Sequence, residues 1–298
     1  MDCFFITARV EWKDMGVLVG IVNALAASFQ NSRFKTLEGV HTHALNWLRI
    51  LIGTIVIGIV ITFFLEWQVP PLPFWLIMVG IILPAEWANS FLYVRAFQIS
   101  PQSLVGPFFS FTALFLVPTG YIVLGELPTF VGGIGILFLV FGALFLGFGK
   151  GNYSFAGSIK KITQEKGALY MLAGAAIISI SIVSAKFLFQ YVSPLQFVFY
   201  MDALLVIVYT PLMVRHISTF RKGKWQNLAL MSGAYTAGTI LHFVGLSLLF
   251  AAYYISIKRL SILFDVIFGK VVHQEEHFYE RLSGAALMVG GVVLIVLS

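Results

Sequence analysis

The chain has 298 residues, of which 59% are hydrophobic and 11% are charged, and its formal net charge is +6. A soluble globular protein is about one quarter charged, so this composition excludes a chain whose whole surface faces water. We therefore predict an all-α integral membrane protein. The modest positive charge favours basic loops at a membrane surface over nucleic-acid binding.

The sequence contains few of the features that accompany cofactor chemistry. The single cysteine, Cys3, excludes an intramolecular disulfide and a cysteine-based metal cluster. The first residues, MDCFFITARVEWKD, lack a basic start and a small-residue cleavage site, so we expect no cleaved signal peptide. No G-x-x-x-x-G-K-[ST] phosphate loop occurs. We expect no cofactor and no enzymatic activity, and we expect any transport to draw its energy from gradients or exchange.

Apolar stretches of about 20 residues, each long enough to cross a bilayer as a helix, follow one another along the chain. They lack the alternation of a membrane barrel, and lipid offers the backbone no hydrogen-bonding partner, so helices are required. We predict ten transmembrane helices, counted here as spans one to ten, at residues 15–36, 43–65, 74–97, 101–124, 129–149, 166–190, 194–215, 225–248, 250–272 and 280–298.

The long polar connection at residues 150–167 lies at the middle of the chain and predicts an internal repeat. We place the first five-helix repeat at residues 1–150 and the second at 151–298. Five spans are an odd number, so the halves would have opposite orientations, as in transporters with a midplane site. One offset of half the chain length relates Glu126, Gly135 and Gly142 to Glu275, Gly284 and Gly291.

The ninth span is apolar, yet its segment AAYYISIKRLSILFDVIFGK, residues 251–270, contains ionisable side chains. A charge near the bilayer centre costs about 2.5–3.5 kcal/mol, so such a side chain faces a cavity or a partner. Tyr254, Lys258 and Asp265 recur at helical spacing and form one stripe, whereas Arg259 points to a different neighbour. We predict that this face lines a wet cavity. For Lys258 and Arg259, snorkelling or bonding to backbone carbonyls is the structural alternative.

A carboxylate lies inside the third span, within LPAEWANSFLYVRAF. Glu86, Asn89 and Tyr93 recur at helical spacing and share a face. A carboxylate in a membrane must be paired or protonated, so Glu86 is a counter-ion of Lys258 or Arg259, a proton carrier or part of a structural ion pair. Asp202, in the seventh span, is interpreted as a structural partner.

Neutral polar side chains share faces of spans one and eight. Asn23 and Gln30 lie on one face of the first, and Tyr235, Thr239 and His242 lie on one face of the eighth. Such residues can bond neighbouring helices, or as a set they can hold a polar solute. We include them in the predicted substrate site.

Prolines and turn residues interrupt several spans. Pro84 in the third span and Pro118 in the fourth predict kinks, which suit helix packing or the bending of gates. Glu126 falls in a tight turn, where stabilisation of that turn or of a helix end is the simplest role. The segment HQEEH, residues 273–277, matches the H-x-x-E-H pattern of inverted zinc proteases, so a membrane metallohydrolase is one alternative function.

Three motifs, LNWLRILIG after the first span, GELPT after the fourth and YYISIKRLSILF in the ninth, resemble the drug/metabolite transporter superfamily, EamA type. The resemblance covers essentially the whole chain. It implies two inverted five-helix repeats around a cavity lined mainly by spans one, three, four, six, eight and nine. The run from Lys258 to Ser261 also resembles the basic pair with which plastid phosphate translocators contact phosphate.

Together these features predict a secondary transporter or exchanger that moves a small polar or anionic metabolite by alternating access. Its partners would be the solute, the lipid bilayer and a proton or counter-substrate, with no nucleic acid; monomer and homodimer are both open. A non-transporting membrane receptor or assembly protein is the alternative class. We expect a multi-pass protein of the bacterial inner membrane.

The orientation in the membrane stays open at this point. The predicted loops at 150–166, 215–224 and 270–281 are rich in lysine and arginine, which favours cytoplasmic loops and external termini. The family resemblance implies internal termini instead.

Overall fold

The computed structural model describes residues 2–34, 37, 40–99, 106–147, 166–222, 225–264 and 282–298, and no strand occurs in them. In chain order the helices are α1 (Asp2–Phe34), α2 (Thr42–Phe64), α3 (Leu72–Ile77), α4 (Leu83–Ile99), α5 (Thr112–Leu124), α6 (Phe130–Gly147), α7 (Lys166–Leu188), α8 (Pro194–Val214), α9 (Trp225–Leu248), α10 (Ala251–Lys258) and α11 (Leu282–Leu297). A π-helical turn joins α3 to α4, and 3-10 turns precede α5 and α9. The predicted all-α architecture is confirmed for the described residues.

Several of these helices are long and apolar enough to cross a bilayer. Within the described residues, five segments qualify by length and composition, namely His43–Phe64, Leu72–Asn89, Lys166–Leu188, Pro194–Val214 and Trp225–Leu248. Shorter apolar helices occur at Phe108–Leu124, Phe130–Phe145 and Gly284–Leu297. The chain is therefore a multi-pass membrane protein, while the exact number of ten spans stays a prediction.

The ends of the helices follow local sequence signals. Ser193 caps α8 through its side chain, and Pro194 occupies the first turn, where a missing N–H costs nothing. At the start of α6, Thr129 Oγ1 accepts a hydrogen bond from the backbone N–H of Gly132 at 3.0 Å. Gly125 ends α5 with φ of 69°, in the left-handed region that favours glycine.

The predicted kink of the third span is a π-helical turn, Met78–Ile82. The N–H of Leu83 bonds to the carbonyl of Met78, five residues earlier. Pro84 follows at once, and because its ring clashes with the carbonyl four residues before it, the wider turn relieves that clash. The irregularity therefore lies just before the polar face of α4, which begins at Glu86.

Five of the helix pairings are related by an exchange of the two halves, whereas α2 also packs on α9 outside that set. Helix α1 packs on α9, α4 on α7, α2 on α8, α5 on α10 and α6 on α11. The exchange replaces each span by the span five places away in the chain, so that α1 corresponds to α7 and α4 to α9. It then turns the α1–α9 pair into the α4–α7 pair. Each of the other three pairs joins corresponding helices and is unchanged. This is the contact pattern of a pseudo-two-fold arrangement. The largest apolar core draws on both halves, with Leu139 of α6 and Ile257 of α10 among its members.

Helices α6 and α11 cross at glycines that the sequence repeat singles out. A Cβ on Gly135 would lie 2.7 Å from the carbonyl oxygen of Gly291, and one on Gly142 would lie 2.7 Å from that of Gly284. Gly135, nearer the start of α6, thus meets Gly291, nearer the end of α11, and Gly142 meets Gly284 in the same way. Two helices with this reciprocal contact run antiparallel, as the inverted repeat requires.

Candidate functional site

A cavity of about 310 Å³ lies between the halves, lined by residues of α1, α2, α4, α7, α8, α9 and α10 and by Phe109 in the turn before α5. In the part of the chain that the structure describes, three basic side chains, Arg49, Lys258 and Arg259, and one carboxylate, Glu86, border it. Apolar side chains such as Ile182 complete the wall. The lining combines an apolar frame with a few polar groups, as small-molecule sites do.

Lys258 lies at the last residue of α10, at the cavity wall. Its Nζ is 3.3 Å from Nδ1 of His242, and it is close enough to Glu86 for the two charges to interact. An ammonium group only donates, so His242 accepts through Nδ1. Helical conformation resumes at residues 260–264 after a turn at Arg259, so the predicted stripe is interrupted one residue after Lys258.

Arg259 binds a different set of neighbours, as its angular position on the helix predicts. Its Nη2 donates to Oγ1 of Thr112 at 3.3 Å, and its Cζ lies 4.5 Å from the ring centre of Phe109. The guanidinium group therefore ties α10 to the start of α5 while it borders the cavity.

The carboxylate of Glu86 faces the cavity from α4. Its Oε1 accepts a hydrogen bond from Oγ of Ser181 on α7 at 2.9 Å. One turn later, Oδ1 of Asn89 is buried and has no hydrogen-bond partner within the described part of the chain. This side of the cavity therefore presents the carboxylate of Glu86, whereas the Asn89 oxygen lies against α7, 3.1 Å from where a Cβ on Gly174 would lie.

Arg49 of α2 contributes a basic group that the sequence analysis missed. Its Cζ lies 4.7 Å from the ring centre of Tyr235 on α9, and both side chains line the cavity. The signal was an arginine inside LNWLRILIG, but near the start of a span an arginine commonly extends to the membrane surface. Phe109 was missed as well, because an aromatic residue in an apolar span has no distinguishing pattern.

Asn23 of α1 connects two groups of α9. In the amide orientation that satisfies its neighbours, its nitrogen donates to the carbonyl of Gly238 at 3.3 Å and its oxygen accepts from the N–H of His242 at 3.0 Å. The same side chain contacts the hydroxyl of Tyr254. Asn23 therefore bonds α1 to α9 and α10 at the cavity wall, as the structural alternative for such residues expects.

Most of the predicted site residues border this cavity, and the others lie elsewhere. Tyr254 is fully buried behind the wall, in space that Gly20 and Gly245 leave open, and its hydroxyl lies 3.1 Å from the carbonyl oxygen of Leu241. Tyr93 is 38% exposed and packs on Phe109 at 5.4 Å between ring centres. The predicted residues at the wall are Lys258, Arg259, Glu86, Asn89, Asn23, Gln30, Tyr235 and His242.

Three further expectations concern Asp265, the HQEEH segment and the set of spans that line the cavity. Asp265 and the HQEEH segment, residues 273–277, lie outside the described residues. The expected lining omitted span seven, whereas Met201 of α8 borders the cavity because α8 packs against α2 and α9. A binding role for each lining residue stays a prediction.

Polar contacts close one end of the cavity, about one helical turn beyond the residues that line it. Lys186 of α7 forms an ion pair with Glu126 and also bonds to the carbonyl of Leu249. The other oxygen of Glu126, Oε2, accepts from the N–H of Ala251 at 2.8 Å, at the start of α10. Thr129 adds a bond from its N–H to the hydroxyl of Tyr253 at 2.9 Å. The predicted turn and helix-end role of Glu126 therefore extends to joining three helix ends.

The fold and the charged central cavity are typical of a polytopic carrier for small molecules. The sequence model of the EamA-like transporter family matches this chain twice, at residues 14–148 and 165–297. The chain belongs to the EamA-like transporter family. It is a membrane transporter of the drug/metabolite superfamily with a two-repeat architecture, as the resemblance implied, and members of this family are transporters, not enzymes.

Known structures support the fold. One solved crystal structure of a protein superposes with a TM-score of 0.73 over 95% of this chain and 97% of that chain, at 17% sequence identity. A likeness at this identity establishes the fold alone. Among curated proteins no sequence matches this chain.

Proposed function

We propose that this protein is a secondary transporter that carries a small anionic metabolite through the central cavity by alternating access. The observation that carries the proposal is the composition of the cavity wall, where, among the described residues, Arg49, Lys258 and Arg259 face a single lining carboxylate, Glu86. A cavity of about 310 Å³ suits a small metabolite. In a low-dielectric membrane interior such an excess of cations favours an anion.

The lining residues divide into two roles. Lys258 binds the anionic group, and Glu86 limits the positive charge when the site is empty. The polar side chains of Asn89 and His242, which also line the cavity, orient the polar part of the solute. Because Lys258 contacts His242 rather than a carboxylate oxygen at bonding distance, its ammonium group keeps donors for a ligand.

The fold that the family shares supports the proposal of alternating access. The Glu126–Lys186 pair closes one end of the cavity, and five of the helix pairings fit a pseudo-two-fold exchange. If the two halves exchange conformations, the closed end and the opposite end exchange roles. Transport then needs no nucleotide hydrolysis.

The proposal is tested with purified protein and a panel of small anionic, neutral and cationic metabolites. We expect thermal stabilisation by one or more anions, because ligands that bind the folded state raise its stability. In Lys258→Met the affinity for that anion should fall by about tenfold or more, since a charge-assisted hydrogen bond contributes about 1.5–3 kcal/mol. Isothermal titration measures the affinity, and counterflow into proteoliposomes measures transport.

Lys166→Met is the matched control, because Lys166 is exposed at the start of α7, away from the cavity lining. It should bind and transport like the parent. Equal affinities in Lys258→Met and the parent, with normal folding, would remove Lys258 from the site. Binding without counterflow would instead favour the receptor alternative.

A further inference from the structure

A second acidic group lies behind the cavity wall. Asp202 of α8 is fully buried. Its Oδ1 accepts a hydrogen bond from the hydroxyl of Tyr235 at 3.4 Å, while Oδ2 has no hydrogen-bond partner among the residues that the structure describes. A Cβ on Gly53 would lie 3.6 Å from that Oδ2 and 3.3 Å from Oγ1 of Thr236. Because glycine has no side chain, α2 can lie close to the carboxylate.

Asp202 is separated from the cavity by one layer of side chains. Tyr235 and Arg49 both line the cavity, and both interact electrostatically with Asp202. Glu86 of α4 is the other charged group whose field reaches it. The groups facing Asp202 are therefore a cation from α2, a hydroxyl from α9 and a second carboxylate across the cavity.

This environment leaves Asp202 without full compensation in its ionised form. A buried carboxylate is costly unless both oxygens are satisfied, and here one long hydrogen bond and a nearby guanidinium group oppose that cost. The interpretation drawn from the sequence, a structural partner, accounts for the bond at Oδ1 and leaves Oδ2 unexplained. Binding one proton at Oδ2 converts the carboxylate to a neutral acid and removes one negative charge, with no other bond broken.

A metal cation is a poor occupant of the same place. Arg49 already supplies positive charge beside the carboxylate, so a sodium ion would meet repulsion and would still need several more oxygen ligands. A proton needs only the free lone pair of Oδ2.

We propose that Asp202 is the proton-binding site of this transporter, and that Tyr235 and Arg49 couple it to the solute cavity. This inference rests on the proposed function. When Asp202 is ionised, it neutralises part of the charge of Arg49 and holds the hydroxyl of Tyr235. When Asp202 takes a proton, both groups become available to an anion in the cavity. Proton and anion then favour each other's binding, because coupling between two sites is reciprocal. The expected mode is symport of a proton with the anion.

The test needs no solute, so it is independent of the proposed function. Infrared difference spectra are recorded for the full-length protein in liposomes between about pH 5.5 and about pH 9. The carbonyl stretch of a protonated, buried carboxyl should appear at the acidic end and be lost in Asp202→Asn. The Glu86→Gln variant should retain it. A band that Asp202→Asn leaves intact and Glu86→Gln abolishes would overturn the inference, because the proton would then reside on Glu86.

Two further variants test the coupling and keep the proposal falsifiable if Asp202→Asn does not fold. Tyr235→Phe and Arg49→Gln retain the acid but remove a hydroxyl or a charge beside it. We expect each to move the pH midpoint of the band by about one pH unit or more. Unchanged midpoints in both would show that Asp202 does not communicate with the cavity wall. If the protein shows the carbonyl band of Asp202 but binds no anion, the proposed function is refuted and the proton site is not.

Discussion

At the scale of single residues, the ninth span tolerates Lys258 because its ammonium group faces a polar cavity instead of lipid. Its nearest polar contact is His242, 3.3 Å away, and Glu86 lies within electrostatic range. Arg259, next in sequence, is held by Thr112 and Phe109. Adjacent basic residues thus occupy different environments, because consecutive side chains on a helix point about 100° apart.

A histidine cluster at the start of α2 makes stability depend on pH. The His41 ring stacks on His216 with centroids 3.6 Å apart, and its Nδ1 accepts from the N–H of His43. Burial, then the charges of His216 and His43, lower the pKa of His41 below its ordinary value of 6.5. The folded state therefore binds this proton less readily than the unfolded state, so its stability is complete above about pH 6.5 and is lost as pH falls below that.

We expect the melting temperature to fall by about 1–2 °C between about pH 7.5 and about pH 5.5 through this cluster. His41→Gln, which cannot gain a proton, should lose that part of the pH dependence. Differential scanning fluorimetry in detergent measures both proteins. An identical pH dependence in parent and variant would show that His41 does not contribute.

At the scale of elements, close helix contacts depend on small residues, since membrane helices gain little from hydrophobic burial against lipid. Glycines at the α6–α11 crossing leave no room for a Cβ, which would lie 2.7 Å from a facing carbonyl oxygen at Gly135 or Gly142. Backbone atoms cannot move aside as a flexible side chain can. The crossing therefore depends on these positions.

Gly142→Ala should reduce the free energy of unfolding by about 1–3 kcal/mol, because the added methyl group forces α6 away from Gly284 and Met288. Gly133→Ala is the control on the same helix, where a Cβ meets no atom within 4 Å. That change should be neutral or stabilising by up to about 1 kcal/mol, since alanine favours helix. Equilibrium unfolding in mixed micelles compares the two variants, and equal effects would contradict the packing argument.

At the scale of the whole molecule, the two halves meet around the cavity and one end of it is closed by polar bonds between helix ends. Lys186 and Glu126 are about one-seventh exposed, at 14% and 13%, so their attraction is less screened than that of a surface pair. Glu126 also binds the N-terminus of α10, where the helix dipole favours a negative charge. The same carboxylate thus joins both halves of the chain.

Glu126→Gln should open this end more often. The test uses a protein in which Cys3 is replaced by serine and Ile255, in the cavity wall, is replaced by cysteine. A membrane-impermeant maleimide is added from the closed side. In Glu126→Gln the labelling rate of that cysteine should rise several-fold, because one charge of the ion pair is gone. Glu66→Gln at the same end is the control, since the exposed side chain of Glu66 takes no part in that pair. A labelling rate that stays at the parental value would exclude the pair as a closure. Lys186→Met in the Glu126→Gln background should add little if the two residues act together.

The sequence by itself determined the class of the molecule and much of the cavity wall. The length of the apolar stretches predicted transmembrane helices, because unpaired backbone groups are too costly in lipid. Charged residues are rare inside these stretches, which singled out Lys258, Arg259 and Glu86. The offset between glycines predicted an internal repeat, and the tertiary structure adds that these glycines meet at the contact of α6 with α11.

Only the tertiary structure decided which polar residues meet. Tyr254 has the helical spacing of a lining residue, but Gly20 and Gly245 on other helices give its ring a place behind the wall. The position of Arg49 near the start of a span is equally compatible with the membrane surface, and the side chain reaches the cavity because α2 packs on α8 and α9. Spacing along one helix specifies a direction, whereas the neighbour in that direction depends on how separate helices pack, which no single segment encodes.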